Sequence, residues 1–148
     1  MRERVFLAGI GGQGVDSAGS ILAHMVLHQG FEVCNVSQYS PEVRGGWVSA
    51  TVIIADGEVG SPIVGSADSL LLFSGRSVAH ELHRAVPDGL IVVNSSLTGR
   101  VAAGQTRVIE VPATAIAAEL GNEQVMNMVM LGAYVEVRGV LDPAGFQE

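Results

Sequence analysis

The sequence predicts an α/β fold with a mostly parallel, mixed sheet, and its first thirty residues carry most of that prediction. Val5 to Ile10 form an apolar run without polar alternation, which is typical of a strand buried on both faces of a sheet. A glycine cluster follows at once. Apolar residues then recur every three or four positions, which predicts a helix of about four turns. Its apolar face consists of Val15, Ala18, Ile21, Leu22, Met25 and Val26.

The glycines between this strand and this helix, Gly9, Gly11, Gly12 and Gly14, allow two interpretations. A helix that begins at a glycine-rich turn presents backbone N–H groups and the positive end of its dipole, and glycine lets a bulky anion approach the backbone. The same residues would equally serve a tight turn against a neighbouring strand. We expect either an anion site or a plain turn, and the glycines alone do not decide between them.

Three of these residues, Gly9, Gly11 and Gly14, also have the G-x-G-x-x-G spacing of dinucleotide-binding domains. In those domains an acidic residue near the end of the second strand binds the ribose. The second strand of this chain, predicted at residues 31–36, is followed by Ser and Gln instead. No Lys-Ser or Lys-Thr pair follows the last glycine, so the turn is not a P-loop.

The composition excludes several classes of function. The chain has 15 acidic and 8 basic residues, a formal net charge of -7, and no basic stripe that could grip nucleic acid. The first apolar run is too short for a signal peptide, and residues 125–137, which include Asn127 and Glu136, fall short of a membrane span. The lone Cys34 fits a reducing compartment. We expect one cytoplasmic domain, residues 1–148, that binds neither nucleic acid nor membrane.

The middle of the chain is predicted to contain a loop and a hairpin. Residues 37–46 contain Pro41 and paired glycines, and they lack periodicity, so they predict a loop after the carboxyl end of a strand. Ligands bind at such ends in open α/β sheets. Trp47 to Ala55 alternate and predict a strand. Asp56-Gly57 is a hairpin signal into an antiparallel strand at 58–62, which would make the sheet mixed.

The later chain alternates between strand and helix patterns. The predicted elements are strands at 69–73, 90–93 and 106–111, helices from Gly75 to about Val86 and from Pro112 to Gly121, a turn at 87–89 and a loop at 95–104. The last helix follows the cap Asn122 and is apolar on most of its circumference, so we expect a partner to cover it. Its apolar residues are Val125, Met128, Val129, Leu131, Gly132 and Val135. Asp142-Pro143 predicts the start of one more helix.

Side chains that carry chemistry are few. His24 and His28 share a helix face, as do His80 and His83, so each pair could bind a metal or lie solvated on the surface. Neither pair has a Cys or carboxylate neighbour that completes a ligand set, and no motif supplies a nucleophile, so we predict no catalytic residue and no metal site. Arg44 is the only cation in its loop, where it could bind a phosphate or carboxylate or merely anchor the loop.

Four stretches together resemble the gamma subunit of 2-oxoacid:ferredoxin oxidoreductases, and most of all the 2-oxoglutarate type. They are GIGGQGVDSAGSILA at 9–23, YSPEVRGG at 39–46, SPIVGSAD at 61–68 and NMVMLGAY at 127–134. The likeness runs in order over nearly the whole chain. Such subunits usually continue through a further helix or two, so we expect this chain to lack a C-terminal helix.

The resemblance implies a three-layer α/β/α domain within a multi-subunit enzyme. That enzyme decarboxylates a 2-oxoacid on thiamine diphosphate with Mg²⁺, passes electrons through iron–sulfur clusters to ferredoxin and releases an acyl-CoA. In the family the thiamine site lies between the alpha and beta subunits, and the clusters lie in beta or delta. This chain would hold no redox cofactor, since one cysteine cannot hold a cluster. Its partners would be the alpha, beta and delta subunits.

The resemblance also points to two loops that would contact the phosphates of coenzyme A (CoA) or the catalytic subunits. Their residues are Gly9, Gly11, Gly12, Gln13 and Gly14 in the first loop and Ser40, Arg44, Gly45 and Gly46 in the second. Two alternatives stay open. One is an indolepyruvate ferredoxin oxidoreductase beta-type chain, which carries a similar domain. The other is a stand-alone dinucleotide-binding or regulatory domain.

Overall fold

A computed structural model of the protein describes residues 2–10, 13–40, 47–57, 65–98, 101, 104 and 106–139. The strands are β1 (Arg2–Ile10), β2 (Glu32–Ser40), β3 (Trp47–Ala55), β4 (Ala67–Leu72), β5 (Ala85–Asn94) and β6 (Arg107–Val111). The helices are α1 (Val15–His28), α2 (Gly75–Glu81), α3 (Ser95–Thr98), α4 (Ala113–Glu119) and α5 (Met126–Arg138). Short 3-10 helices at Leu82–Arg84 and Glu123–Val125 follow α2 and precede α5.

The six strands form one sheet in the order β2-β3-β1-β4-β5-β6. Neighbours from β1 to β6 pair in parallel, whereas β3 runs antiparallel between β1 and β2. The predicted α/β fold with a mostly parallel, mixed sheet is therefore confirmed. The cause of the mixing differs from the prediction, because β3 pairs with the strand before it, β2. The predicted hairpin strand at 58–62 lies outside the described residues.

Helices cover both faces of the sheet, which gives the three layers that the resemblance implied. Val5 and Leu7 of β1 point to the face covered by α1, α4 and α5. Phe6 and Ala8 point to the opposite face, where Val78 of α2 and Leu82 pack. The first strand is thus buried on both faces, as its unbroken apolar run predicted. The apolar face predicted for α1 is also confirmed.

The largest differences from the predicted element boundaries concern β2, α2, β5 and α3. The strand β2 continues to Ser40, so the predicted loop at 37–46 begins later, because residues 37–40 pair with β3. The helix predicted to reach Val86 gives way to a 3-10 helix and then to β5. Residues 87–89, predicted as a turn, lie within β5, where the register to β4 shifts between Ala67 and Ser69. The short helix α3 occupies part of the loop predicted at 95–104.

The helix α5 is buried on its inner face. Its buried residues are Met126, Asn127, Met130, Leu131, Tyr134 and Val135. Met128, Val129 and Gly132, which the apolar pattern placed among the buried positions, are only half-buried, and Glu136 is exposed. The predicted cap Asn122 accepts a hydrogen bond from the Gln124 N–H at 3.0 Å, at the 3-10 helix that precedes α5. Asp142-Pro143 lies outside the described residues.

Candidate functional site

The turn between β1 and α1 is closed by the side chain of Gln13. Its Oε1 accepts a hydrogen bond from the Ile10 N–H at 2.9 Å, and its Nε2 donates to the Phe73 carbonyl at 3.5 Å. The Gln13 N–H donates in turn to the Ile10 carbonyl at 3.3 Å. Since Phe73 follows β4, Gln13 both folds the turn back on itself and ties it to the end of the neighbouring strand.

Close packing requires glycine at two positions of this turn. A Cβ on Gly9 would lie 2.5 Å from Gln13 Oε1 and 2.9 Å from a methyl of Val15. Gly14 has a φ of +77°, and a Cβ there would lie 2.6 Å from Asn127 Nδ2. The plain-turn interpretation therefore accounts for both glycines. The other two glycines of the cluster, residues 11 and 12, lie outside the described residues.

The first turn of α1 carries a carboxylate. Gly14 stands at the N-cap without a side-chain cap, and Asp16 lies in the first turn. The Asp16 carboxylate accepts a hydrogen bond from the Ser37 hydroxyl on β2. A negative side chain is favourable at a helix N-terminus. An anionic ligand at this helix end would therefore share the position with Asp16.

The second predicted loop leaves the sheet at the same level as the glycine turn. Ile10 at the end of β1 and Ser40 at the end of β2 both pair with Trp47, the first residue of β3. The two strand ends are therefore two strand spacings apart, about 10 Å. The Ser40 side chain and residues 44–46 lie outside what the structure describes.

Asn94, the last residue of β5, joins three elements at this carboxyl edge. It is fully buried. Its Oδ1 accepts hydrogen bonds from the N–H groups of Ala113 and Thr114 at 3.1 and 3.3 Å, so it caps α4. Its Nδ2 donates to the Phe73 carbonyl at 3.3 Å and to the Thr114 hydroxyl at 2.9 Å. No local signal links Asn94 to a helix nineteen residues later.

The neutral side chains of Gln13 and Asn94 thus join the carboxyl ends of the four parallel strands β1, β4, β5 and β6. At α2 a capping box adds to them, in which the Ser77 N–H donates to the Ser74 hydroxyl and the Ser74 N–H donates to the Ser77 hydroxyl. Every buried side-chain nitrogen and oxygen within the described ranges has a hydrogen-bond partner. The buried polar side chains in the described part of this edge are therefore all hydrogen-bonded within the chain.

The opposite, amino edge of the sheet holds a buried ionic cluster. Glu3 is only 3% exposed and accepts hydrogen bonds from Ser69 at 2.8 Å and Tyr134 at 3.0 Å. Arg138 donates to its two carboxylate oxygens at 2.8 and 2.9 Å. Burial, and then the negative charge of Glu3, raise the pKa of the Tyr134 hydroxyl well above its ordinary value. The cluster ties α5 to β1 and β4.

A second ion pair lies beside this cluster. Arg4 donates to both oxygens of Asp68, from Nε at 3.0 Å and from Nη2 at 3.1 Å, and its backbone N–H donates at 2.8 Å. Burial alone would raise the pKa of Asp68. The hydrogen bonds from Arg4, together with the positive charges of Arg4 and Arg138, outweigh burial and hold that pKa below its ordinary value.

Metal ligands are not assembled among the described residues. No group of three or more His, Cys, Asp and Glu side chains is placed to hold a metal ion there. His24, His28 and His83 are exposed, and the side chain of His80 is not described. The single Cys34 is half-buried in β2 and unpaired. Because an iron–sulfur cluster takes several thiolates, the sequence does not fit one.

Comparison with known proteins assigns the chain to a family. Residues 4–148 match the family described as pyruvate ferredoxin/flavodoxin oxidoreductase. The chain belongs to this family. The resemblance drawn from the four sequence stretches is thereby confirmed. Across the described ranges, no helix of this family member is long and apolar enough to cross a membrane.

Two relatives of the family come from Methanothermobacter thermautotrophicus. The ketoisovalerate oxidoreductase subunit VorA is 38% identical over 146 residues, which cover 98% of this chain but only 30% of VorA. The 2-oxoglutarate synthase subunit KorC is 33% identical over 156 residues, which cover all of this chain and 82% of KorC. The chain thus spans less than a third of one relative and most of the other.

Two solved structures have the same fold as this chain. The gamma subunit of a keto/oxoacid ferredoxin oxidoreductase from Geobacter sulfurreducens superposes with a TM-score of 0.83 at 28% identity, over 97% of this chain and 81% of that one. A 2-oxoglutarate:ferredoxin oxidoreductase from Magnetococcus marinus gives the same TM-score at 22% identity, over 91% of this chain and 24% of the other. The latter likeness concerns the fold alone.

The sheet order bears on the dinucleotide-binding alternative. In a dinucleotide-binding domain the second strand lies directly beside the first, so that its terminal acid reaches the ribose. Here β3 separates β1 from β2. A residue at the end of β2 is therefore displaced by one further strand from the glycine turn, in addition to lacking the acid.

Proposed function

We propose that this chain is the gamma-type subunit of a 2-oxoacid:ferredoxin oxidoreductase. The enzyme would oxidatively decarboxylate a 2-oxoacid, pass electrons to ferredoxin and release an acyl-CoA. The observation that carries the proposal is the alignment of the whole chain with 82% of KorC, because it relates this chain to a separate subunit of comparable length. The lone Cys34 is consistent with a place in the reducing cytoplasm.

The subunit would contribute assembly surface rather than a redox centre. Its one cysteine cannot supply the thiolates of an iron–sulfur cluster. Thiamine diphosphate, Mg²⁺ and the clusters would then be held by alpha, beta and delta subunits, and ferredoxin would dock on the complex. The half-buried outer residues of α5 (Met128, Val129 and Gly132) suit a contact with such a subunit.

The two loops at the carboxyl edge would line the path of CoA or contact the catalytic subunits. Support comes from the register, since Ile10 and Ser40 flank Trp47 and both loops leave the sheet at one level. Because Gly9 and Gly14 are tightly packed, residues 11–12 would be the part of the first loop that meets a ligand. In the second loop, residues 41–46 would do so. Arg44 supplies the positive charge for a phosphate.

The proposed substrate is 2-oxoglutarate, as for KorC. A branched-chain 2-oxoacid is the nearest rival, because VorA is a ketoisovalerate oxidoreductase subunit of similar identity. Indolepyruvate is the third candidate. Purifying the complex from its source organism through a tag on this chain, and assaying CoA-dependent ferredoxin reduction with each acid, distinguishes them. Recovery of the tagged chain alone, without larger subunits, thiamine diphosphate or iron, would reject the proposal.

The CoA assignment is tested by Arg44→Ala in the assembled enzyme. Loss of a charge-assisted contact to a phosphate should raise the KM for CoA about tenfold, which corresponds to about 1.4 kcal/mol. Arg107→Ala is the matched control, since Arg107 is an exposed arginine at the start of β6. An unchanged KM for CoA in Arg44→Ala would contradict the assignment.

A further inference from the structure

The helix α5 is hydrogen-bonded to both ends of the β1 unit. Near its start, Asn127 Nδ2 donates to the carbonyl of Gly14, which follows β1, at 3.2 Å. Near its end, Tyr134 and Arg138 donate to Glu3, which begins β1. These contacts join residues 113 to 135 positions apart in the sequence. The helix α5 therefore runs along the length of β1, and its Asn127 side chain holds the β1–α1 turn.

Asn127 and Gly14 fit each other closely. Asn127 is 8% exposed, although it is a polar residue in an apolar stretch. Its Oδ1 accepts a hydrogen bond from the Met128 N–H at 2.9 Å, which leaves Nδ2 to bind the Gly14 carbonyl. A Cβ on residue 14 would lie only 2.6 Å from the Asn127 amide nitrogen, which is too close for any side chain at that position. The side chain of Asn127 thus occupies the space that a larger residue at position 14 would need.

The bonded carbonyl of Gly14 also starts the helix α1, because the Ala18 N–H donates to it at 2.9 Å. Gly14 has a left-handed φ and no side-chain cap of its own. Glycine adopts many backbone conformations at little cost, so such a turn needs an outside contact to hold one of them. Gln13 supplies that contact on the side of β4, and Asn127 supplies it on the side of α5.

We propose that Asn127 is a positioning residue for the β1–α1 turn, and that through this turn it sets the affinity of the assembled enzyme for the phosphates of CoA. The second half rests on the proposed function of the turn. The first half concerns this chain alone. Asn127 acts by holding Gly14, so its loss should loosen the turn while the core of α5 stays packed.

The first test is hydrogen exchange of the full chain in Asn127→Ala. Exchange in peptides that cover residues 13–18 should quicken about fivefold, the size expected from one lost neutral hydrogen bond. Asn122→Ala is the matched control, because Asn122 is an exposed asparagine near the same helix that also bonds a backbone N–H. Equal exchange of residues 13–18 in both variants would overturn the positioning role.

A second variant distinguishes loss of the hydrogen bond to Gly14 from misfolding of the Asn127→Ala chain. Asn127→Asp keeps the shape and the acceptor for the Met128 N–H but loses the donor to Gly14, so it should quicken the same exchange at least as much. Gly14→Ala should destabilise the wild-type chain more than the Asn127→Ala chain, because the clash with the amide is gone in the latter. If Gly14→Ala destabilised the wild-type chain and the Asn127→Ala chain equally, the close packing of Gly14 against Asn127 would be contradicted.

Kinetics of the assembled enzyme test the second half. Asn127→Ala should raise the KM for CoA about fivefold and leave kcat and the KM for the 2-oxoacid within about twofold. If exchange quickens but neither Asn127→Ala nor Arg44→Ala changes the KM for CoA, the proposed CoA contact fails and the positioning role stands. If Arg44→Ala alone raises that KM, the link from Asn127 to CoA affinity is overturned.

Discussion

The two edges of the sheet are held by different kinds of interaction. At the amino edge, carboxylates and guanidinium groups form two adjacent ion pairs, Glu3 with Arg138 and Arg4 with Asp68. At the carboxyl edge, the amide side chains of Gln13, Asn94 and Asn127 form the links between elements. A neutral hydrogen bond is worth about 1 kcal/mol, whereas removing one partner of a buried ion pair costs about 3–5 kcal/mol.

The ion pairs at the amino edge therefore stabilise the fold, whereas the neutral links at the carboxyl edge position the candidate site. At the amino edge the Glu3–Arg138 pair attaches α5 to β1 and the Arg4–Asp68 pair attaches β1 to β4, at the end of the sheet opposite the two loops proposed to meet CoA. Neutral links at the carboxyl edge hold the β1–α1 turn and the neighbouring strand ends without adding full charges next to them, and Asp16 is the carboxylate described in the turn region. An anionic ligand beside the turn would thus meet no full charge from Gln13, Asn94 or Asn127, and Asp16 would be the described carboxylate with which it shares the helix end.

The largest expected effect comes from breaking the amino edge. Glu3→Ala leaves Arg138, Tyr134 and Ser69 without their shared acceptor in a buried position, so the free energy of unfolding should fall by about 3 kcal/mol. Urea unfolding of the purified chain measures the loss. Glu136→Ala is the control, because that carboxylate is exposed on the same helix and should change stability by less than about 0.5 kcal/mol. Similar losses in the two variants would remove the contrast between the edges.

A smaller loss is expected at the carboxyl edge. Asn94→Ala removes the cap of α4 and a donor to Phe73, which should lower the free energy of unfolding by about 2 kcal/mol. The exposed Asn35 on β2 provides the control variant Asn35→Ala. The same urea titration applies. A loss for Asn94→Ala larger than that for Glu3→Ala would reverse the proposed ranking.

The smallest effect is a pH dependence confined to the amino edge. Hydrogen bonds from Arg4 lower the folded-state pKa of Asp68 despite its burial. A carboxyl group with a lowered folded pKa contributes stability above its unfolded pKa and loses it as the pH falls through the folded value. The difference in Tm between wild type and Asp68→Asn should therefore be constant near pH 7 and shrink below about pH 4.

Arg4→Gln serves as the check on this pH dependence. Without the Arg4 guanidinium, Asp68 loses its main donor, so the Asp68→Asn substitution should have a smaller effect on Tm in the Arg4→Gln chain, and that effect should vary less with pH. A Tm difference that stays constant from neutral to acidic pH in the otherwise wild-type chain would show that this ion pair is not the acid-sensitive link.

Elements with strong local periodicity were predictable from the sequence. The strand β1, the helix α1 and the strand β3 each have an apolar pattern that belongs to one kind of structure. The position of β2 was not predictable, because pairing across β3 depends on residues far apart in the chain. Leu120, directly after α4, is 69% exposed, which its apolar character does not indicate, since the short helix buries only Ala113 and Ala117.

The site was less predictable than the fold. The glycine turn and its family likeness are visible in consecutive residues. Glu3 would ordinarily be placed on the surface, since carboxylates are almost never fully buried unless paired, and its partners are 66 to 135 positions away. Asn94 and Asn127 act on backbone groups of distant elements in the same way. Such contacts become visible only when the topology is known.

The acid at residue 3 also dictates an order of events during synthesis. Glu3 leaves the ribosome well before Tyr134 and Arg138, which lie 131 and 135 positions later in the chain. Until then the carboxylate must stay hydrated, so the start of β1 cannot settle into its dry final environment. Contacts of such long sequence separation form slowly. The nascent chain therefore acquires its final rigidity only after α5 has been released.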